Sequence, residues 1–124
     1  DSLNEQKSIM LLPDNFEELI AQANSENLYF KLIKQLNKDF LLANIDLDFE
    51  EEVLPTSLKY ILHETVFKLI QEKFMEYLNL LYIVDVSEDK IRQLDGSDVV
   101  VLSEQVTFLI LQREWQKVWF RNKF

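Results

Sequence analysis

The sequence contains no cysteine, a single glycine and a single histidine. Without cysteine the chain can form no disulfide, no thiolate metal site and no cysteine nucleophile. Average usage would give a chain of this length roughly nine glycines, and tight hairpins and left-handed turns depend on that residue. The scarcity of glycine argues against a β-sandwich or barrel. It also argues against phosphate-binding loops and nucleophile elbows, which need two or more glycines.

Long hydrophobic runs are also lacking, since no apolar stretch approaches the roughly 18 residues of a membrane span. We therefore expect no membrane partner. The missing cysteines fit a reducing compartment, which predicts a cytoplasmic location. The first residue is aspartate rather than methionine, so we expect that a preceding segment has been removed.

Basic residues are outnumbered, with 13 Lys and Arg against 22 Asp and Glu and a formal net charge of −9. A field of this sign repels phosphate backbones and argues against nucleic acid as a partner. The middle of the chain predicts an exposed acidic patch, formed by Asp46, Asp48, Glu50, Glu51 and Glu52. Three of its acids mimic an EF-hand loop, but Glu51 replaces the required glycine, so a calcium site is not predicted.

Apolar residues recur at helical spacing along most of the chain, which predicts an all-α bundle of four main helices plus one or two short ones. The predicted helices cover residues 14–23, 26–43, 56–84, 88–95 and 103–122. Residues 1–12 are interpreted as an N-terminal arm or short helix. The whole chain, residues 1–124, is predicted to form a single helical domain.

Residues 44–55 interrupt the helical pattern and are interpreted as an acidic connection. In their first half, apolar residues alternate with acidic ones, a period of two that is typical of an extended segment with one face on the core. An α+β alternative therefore pairs residues 45–49 with residues 99–102, where a run of valines favours a strand.

The only histidine, His63, precedes Glu64 and so begins the zinc-protease signature H-E-x-x-H. The second histidine of that signature falls at Phe67, whose ring cannot ligate zinc. Steps of three and four instead place His63 in a seam that faces another helix. The seam comprises Tyr60, His63, Phe67, Ile70, Phe74, Tyr77 and Leu81. We expect a hydrogen-bonded histidine at the edge of the core, and we predict no metal, no cofactor and no catalytic residue.

The C-terminal stretch REWQKVWFRNKF combines cations with large aromatic side chains. Its candidate interface residues are Arg113, Lys117, Trp119, Phe120 and Arg121. Aromatic residues beside arginine are typical of binding hot spots. Under the alternative interpretation, the tryptophans pack on the core while the cations remain solvated at the helix end.

Three functional hypotheses remain open. The first is a non-catalytic protein–protein interaction or regulatory domain, which binds a protein partner or a second copy of itself. The second is an acidic decoy or inhibitor of a basic nucleic-acid-binding protein. The third is an enzyme that uses His63. No small-molecule ligand is inferred for any of them.

Overall fold

The computed structural model describes residues 12–123, and these residues form six helices and no strand. The helices are α1 (Phe16–Ser25), α2 (Tyr29–Leu42), α3 (Pro55–Glu72), α4 (Phe74–Val84), α5 (Glu88–Arg92) and α6 (Val99–Lys123). The predicted all-α fold is confirmed. The α+β alternative is wrong within the described residues, because residues 45–49 form no strand and residues 99–102 begin α6. The predicted arm lies outside the described residues except for Leu12, and the division into domains stays a prediction.

Helix α6 is the centre of the bundle and packs against α1, α2, α3 and α4. Its buried side chains are Ser103, Val106, Thr107, Ile110, Leu111, Glu114, Trp115 and Val118. At 100° per residue these positions cover roughly half of the helix circumference. Such a wide buried face explains why the sequence of this helix is apolar on several sides.

The predicted long helix 56–84 is divided at Lys73, and this part of the prediction is wrong. The backbone of Lys73 leaves the helical region (φ −142°, ψ 62°), and neither proline nor glycine lies at the break. The break allows α4 to contact α2 as well as α3 and α6. Lys73 still forms a backbone hydrogen bond with each helix: Lys73 N donates to Leu69 O, and Tyr77 N donates to Lys73 O.

The predicted aromatic seam is also wrong, because α3 buries a neighbouring stripe of leucine and valine. The buried residues of α3 are Leu58, Leu62, Val66 and Leu69. Tyr60 and Phe74, which the seam placed in the core, are 69% and 54% exposed. Tyr77 is buried as predicted. Both stripes have helical spacing, and the aliphatic one fits the close packing against α6.

Side-chain acceptors cap the starts of α1 and α5. The side chain of Asn15 accepts a hydrogen bond from Glu18 N at 2.9 Å, and that of Glu18 accepts one from Asp14 N at 2.9 Å. Asn15 is therefore the N-cap of α1. Ser87 caps α5, since its hydroxyl accepts a hydrogen bond from Lys90 N. Such side-chain acceptors satisfy amides that have no partner within the first turn.

The connection between α2 and α3 is held by side chains of α2. The Asn37 amide bonds to both backbone groups of Phe49: its Oδ1 accepts from Phe49 N at 2.9 Å and its Nδ2 donates to Phe49 O at 2.8 Å. Tyr29 donates its hydroxyl to Val53 O. The predicted alternation is confirmed, since Ile45, Leu47 and Phe49 are half-buried between exposed acids. The side chain of Asn37 thus forms the hydrogen bonds that a neighbouring strand would otherwise form with the backbone of Phe49.

Candidate functional site

The predicted interface residue Arg113 joins α6 to the end of α4. Its Nε donates to Asp85 O at 3.0 Å, and its Nη2 donates to Asp85 Oδ2 at 2.8 Å. Asp85 has a left-handed backbone (φ 71°) and terminates α4. The guanidinium therefore holds a carbonyl and a carboxylate at a helix end, where a cation is favoured by the helix dipole.

Two other cations of the predicted interface, Lys117 and Arg121, contact side chains of α2. The Nζ of Lys117 lies 2.6 Å from Asp39 Oδ2, and Lys117 is mostly buried. Arg121 donates from Nη1 to Gln35 Oε1 at 2.7 Å. Gln35 in turn donates to Asp39 Oδ2 at 3.0 Å. The alternative interpretation, in which the cations only solvate the helix end, is wrong for Lys117.

These contacts surround a buried pair of carboxyl groups, Asp39 and Glu114, between α2 and α6. Glu114 is completely buried, and Lys117 Nζ lies 2.6 Å from its Oε1. We call Gln35, Asp39, Glu114 and Lys117 the buried polar cluster; the exposed Arg121 contacts it through Gln35.

The two carboxyl groups of the cluster are shifted in opposite directions. Burial, and then the neighbouring Asp39, raises the pKa of Glu114 to about 9, against the opposing effect of Lys117. Burial also raises the pKa of Asp39, but hydrogen bonds from Glu114, Lys117 and Gln35 outweigh it, and the net pKa is below the usual value. At neutral pH Glu114 is therefore protonated beside an Asp39–Lys117 ion pair, a neutral combination that suits an apolar interior.

The sequence contains a signal for this cluster that the analysis of charge overlooked. Asp39 lies seven residues after Leu32 on the buried face of α2, and Glu114 lies three residues after Leu111 on that of α6. An acid inside an apolar stripe is a candidate for a buried, paired group. When only their charge is considered, both acids resemble solvent-exposed residues.

The aromatic residues of the C-terminal stretch are divided between core and surface. Trp115 is buried, and its Nε1 donates to Gln22 Oε1 at 3.1 Å. Trp119 and Phe120 are half-buried, and their rings form an edge-to-face pair with centroids 5.5 Å apart. Lys123 Nζ lies 5.5 Å from the Trp119 ring centroid. Core packing is confirmed for Trp115, and an interface at Trp119 and Phe120 stays a prediction.

The five residues of the predicted acidic patch are all exposed on the connection between α2 and α3. Glu51 pairs with Lys34 at 3.3 Å. The backbone of Asp48 is left-handed (φ 48°), and the apolar residues on either side of it, Leu47 and Phe49, are half-buried. The structure therefore brings these carboxylates to one solvent-facing segment.

His63 links α3 to the first turns of α6. Its Nε2 lies 2.8 Å from Ser103 Oγ and 3.2 Å from Val100 O, and Ser103 donates its own hydroxyl proton to Val100 O. Nε2 is therefore the protonated donor. Ser103 is completely buried, so no substrate reaches its hydroxyl. The hydrogen-bonded histidine is confirmed. It borders a cavity of about 540 Å³ that Tyr60 and Phe108 also line.

A surface that the sequence analysis did not identify runs along α4. We call it the α4 stripe; it comprises Phe74, Met75, Leu78 and Tyr82. Met75 and Tyr82 are 76% and 84% exposed, while Tyr77, Leu80 and Val84 form the buried face of the same helix. At 100° per residue the two apolar faces lie about 140° apart. Helix α4 is thus apolar towards the core and towards solvent.

Leu78 and Tyr82 of the stripe also line a groove of about 660 Å³ between α4 and α5. We call it the α4–α5 groove; its lining residues are Leu78, Leu81, Tyr82, Asp85, Val86, Ser87, Glu88, Ile91 and Arg92. Its apolar lining residues are Leu78, Leu81, Tyr82, Val86 and Ile91, and its charged ones are Asp85, Glu88 and Arg92. A combination of apolar and charged residues is typical of protein-binding surfaces.

Within residues 12–123, no helix is both long and apolar enough to cross a membrane. The same part of the chain has no group of three His, Asp or Glu side chains placed as metal ligands would be. No family model, curated protein or solved structure matches the chain. The function must therefore be inferred from the surface and the interior of the molecule alone.

Proposed function

We propose that this chain is a non-catalytic protein–protein interaction domain that binds its partner through the α4 stripe. The observation that carries the proposal is the second apolar face of α4, which no described element covers. Isolated apolar residues on a surface are ordinary, but a contiguous set is a common sign of an interaction site.

The size of the stripe supports this function. If a free aromatic or similarly large side chain has roughly 200 Å² of accessible surface, the exposed fractions of the four residues amount to about 500 Å². The largest apolar patch of a typical monomer is about 300–600 Å² and is often functional. A standard interface buries about 800 Å² on each partner, of which roughly 60% is apolar. The stripe is thus large enough to form the centre of such an interface.

Site-specific photocrosslinking in the native host tests the proposal. The photoreactive residue p-benzoylphenylalanine replaces Tyr82 in one variant. In the control it replaces Tyr60, which is also an exposed tyrosine but lies on α3 outside the stripe. We expect a discrete crosslinked protein product from position 82 and none from position 60. The proposal fails if position 82 gives no product, or if both positions give the same set of products.

The acidic patch supports a second candidate function, the decoy or inhibitor that presents carboxylates to a basic protein. Its five acids are exposed, and Lys34 is the cation that pairs with one of them. Binding through this surface should weaken steeply as salt concentration rises, because exposed charges are screened. Titration with a basic nucleic-acid-binding protein, with and without the substitutions Asp46→Asn, Asp48→Asn and Glu50→Gln, tests this function. Equal affinity for both chains counts against it.

A further inference from the structure

The chemistry of the partner follows from the shape of the α4–α5 groove and from the charges around it. The stripe extends from Phe74 to Tyr82, which is about 12 Å along the helix axis. Two turns of a partner helix have a similar length and present apolar residues at i, i+3 or i+4, and i+7. Ile91 and Val86 provide the opposite side of the groove. An apolar helix face therefore fits between α4 and α5.

The net charge of the chain favours a cationic partner. Helix α4 has no basic residue, and Glu76 is its only charged one. The side chains of Asp85, Glu88 and Asp89 at the α5 end are between 76% and 90% exposed. Arg92 pairs with Glu88 and Asp89, Arg113 pairs with Asp85, and Lys90 lies on the same short helix, so cations and acids are equal in number at this end. Each carboxylate can nevertheless accept further hydrogen bonds and remains open to solvent. The net charge of −9 adds a long-range attraction for cations.

The same charges argue against a second copy of the chain as the occupant. A symmetric dimer through the groove would bring two chains of net charge −9 together. Like charges across an interface cost several kcal/mol. The apolar area could support self-association, but the charge opposes it.

We propose that the α4–α5 groove binds a basic amphipathic helix of another protein, whose apolar face covers Leu78 and Tyr82 while its lysines or arginines contact the acids at the α5 end. This inference rests on the proposed function and specifies the partner of the same surface. It gives the groove a defined recognition mode, an amphipathic helix lying in an apolar groove.

Synthetic peptides test the inference directly. The probe is a labelled helical peptide of about 18 residues. Leucine occupies positions i, i+3, i+4 and i+7, a pattern that repeats along the peptide, and lysine occupies the remaining positions. A second peptide replaces every lysine with glutamate, and a third has the composition of the probe in an order without a leucine stripe. Fluorescence anisotropy at several salt concentrations measures each affinity for the complete chain.

The protein variants locate the binding site. In the double variant Leu78→Ser/Tyr82→Ser, both changes fall on exposed side chains of the groove. The control is Tyr60→Ser, an exposed tyrosine outside the groove. We expect the double variant to bind the probe at least about tenfold more weakly and the control to bind like the unchanged chain. Circular dichroism verifies that both variants keep their helical content.

Each alternative outcome overturns the inference. Equal binding of the reordered peptide shows attraction by net charge alone, and equal binding of the glutamate peptide removes the charge argument. Absence of probe binding, or a concentration-dependent dimer that the double variant abolishes, also overturns it. In these cases a crosslink from position 82 still supports the proposed function, so the two proposals can fail separately.

Discussion

The substitution Glu114→Gln should change how the stability of the protein depends on pH. The pKa of Glu114 is about 9 in the folded chain, because the side chain is buried beside Asp39. In the unfolded chain it returns to about 4.5. Between these values the folded state holds a proton that the unfolded state releases. The stabilisation by this proton is fully present below about pH 4.5 and is lost as pH rises through about 9.

The magnitude follows from proton linkage. One proton held only by the folded state lowers the free energy of unfolding by about 1.4 kcal/mol for each unit of rising pH. Between pH 5.5 and 7.5 the unchanged chain should therefore lose about 3 kcal/mol relative to Glu114→Gln. The pKa of Asp39 is lowered, so its contribution is lost only as pH falls below the usual range of aspartate. That loss lies outside this pH window.

Urea denaturation at pH 5.5, 6.5 and 7.5, followed by far-UV circular dichroism, measures this difference. Comparison of the two chains removes the contributions that are common to both, since the chains differ at one residue. Glu104→Gln is the matched control, because Glu104 is exposed on the same helix. We expect the control to follow the unchanged chain. Parallel stability profiles for the unchanged chain and Glu114→Gln would refute the protonated state of the buried carboxyl.

Three further substitutions test individual contacts. Lys117→Met should destabilise the chain by about 3–5 kcal/mol, because it leaves Asp39 charged and buried. Chemical denaturation should also show that the additional substitution Asp39→Asn restores part of the lost stability. If it restores none, the ion pair is contradicted. Asn37→Ala should cost about 1–3 kcal/mol and speed hydrogen exchange at the Phe49 amide; unchanged exchange there would be evidence against the clamp. His63→Ala should lower stability by about 1 kcal/mol with the helical content intact, and a loss above about 3 kcal/mol in thermal unfolding would contradict a role at the core edge.

Helical periodicity predicted the fold class and the position of most helices, but it did not determine which stripe of α3 is buried. The segment has one stripe of aromatic residues around Tyr60 and another of aliphatic residues around Leu62. Both stripes have helical spacing, so which of them is buried depends on how α3 packs against α6. Periodicity within α3 gives no information about that packing. The division at Lys73 has the same origin, since no proline or glycine announces it.

The α4 stripe was missed because Phe74 was assigned to that same core seam. An available signal was the composition of α4, which has nine apolar residues among its eleven, more than one buried face can accommodate. The exposure of the acidic residues between α2 and α3, by contrast, follows from local alternation. Local features were thus predictable, whereas features that depend on packing between distant segments were not.

The central position of α6 has a consequence for how the chain acquires its structure during synthesis. Helices α1 to α4 all contact this helix, yet it is the last of the six to leave the ribosome. Its tryptophan Trp115 reaches back to Gln22, and Gln112 bonds to Pro13 O at 2.8 Å. The emerging chain must therefore hold the apolar faces of the earlier helices uncovered until residues 99–123 arrive. In that interval it is open to chaperones and to aggregation, and its high negative charge helps to keep it soluble.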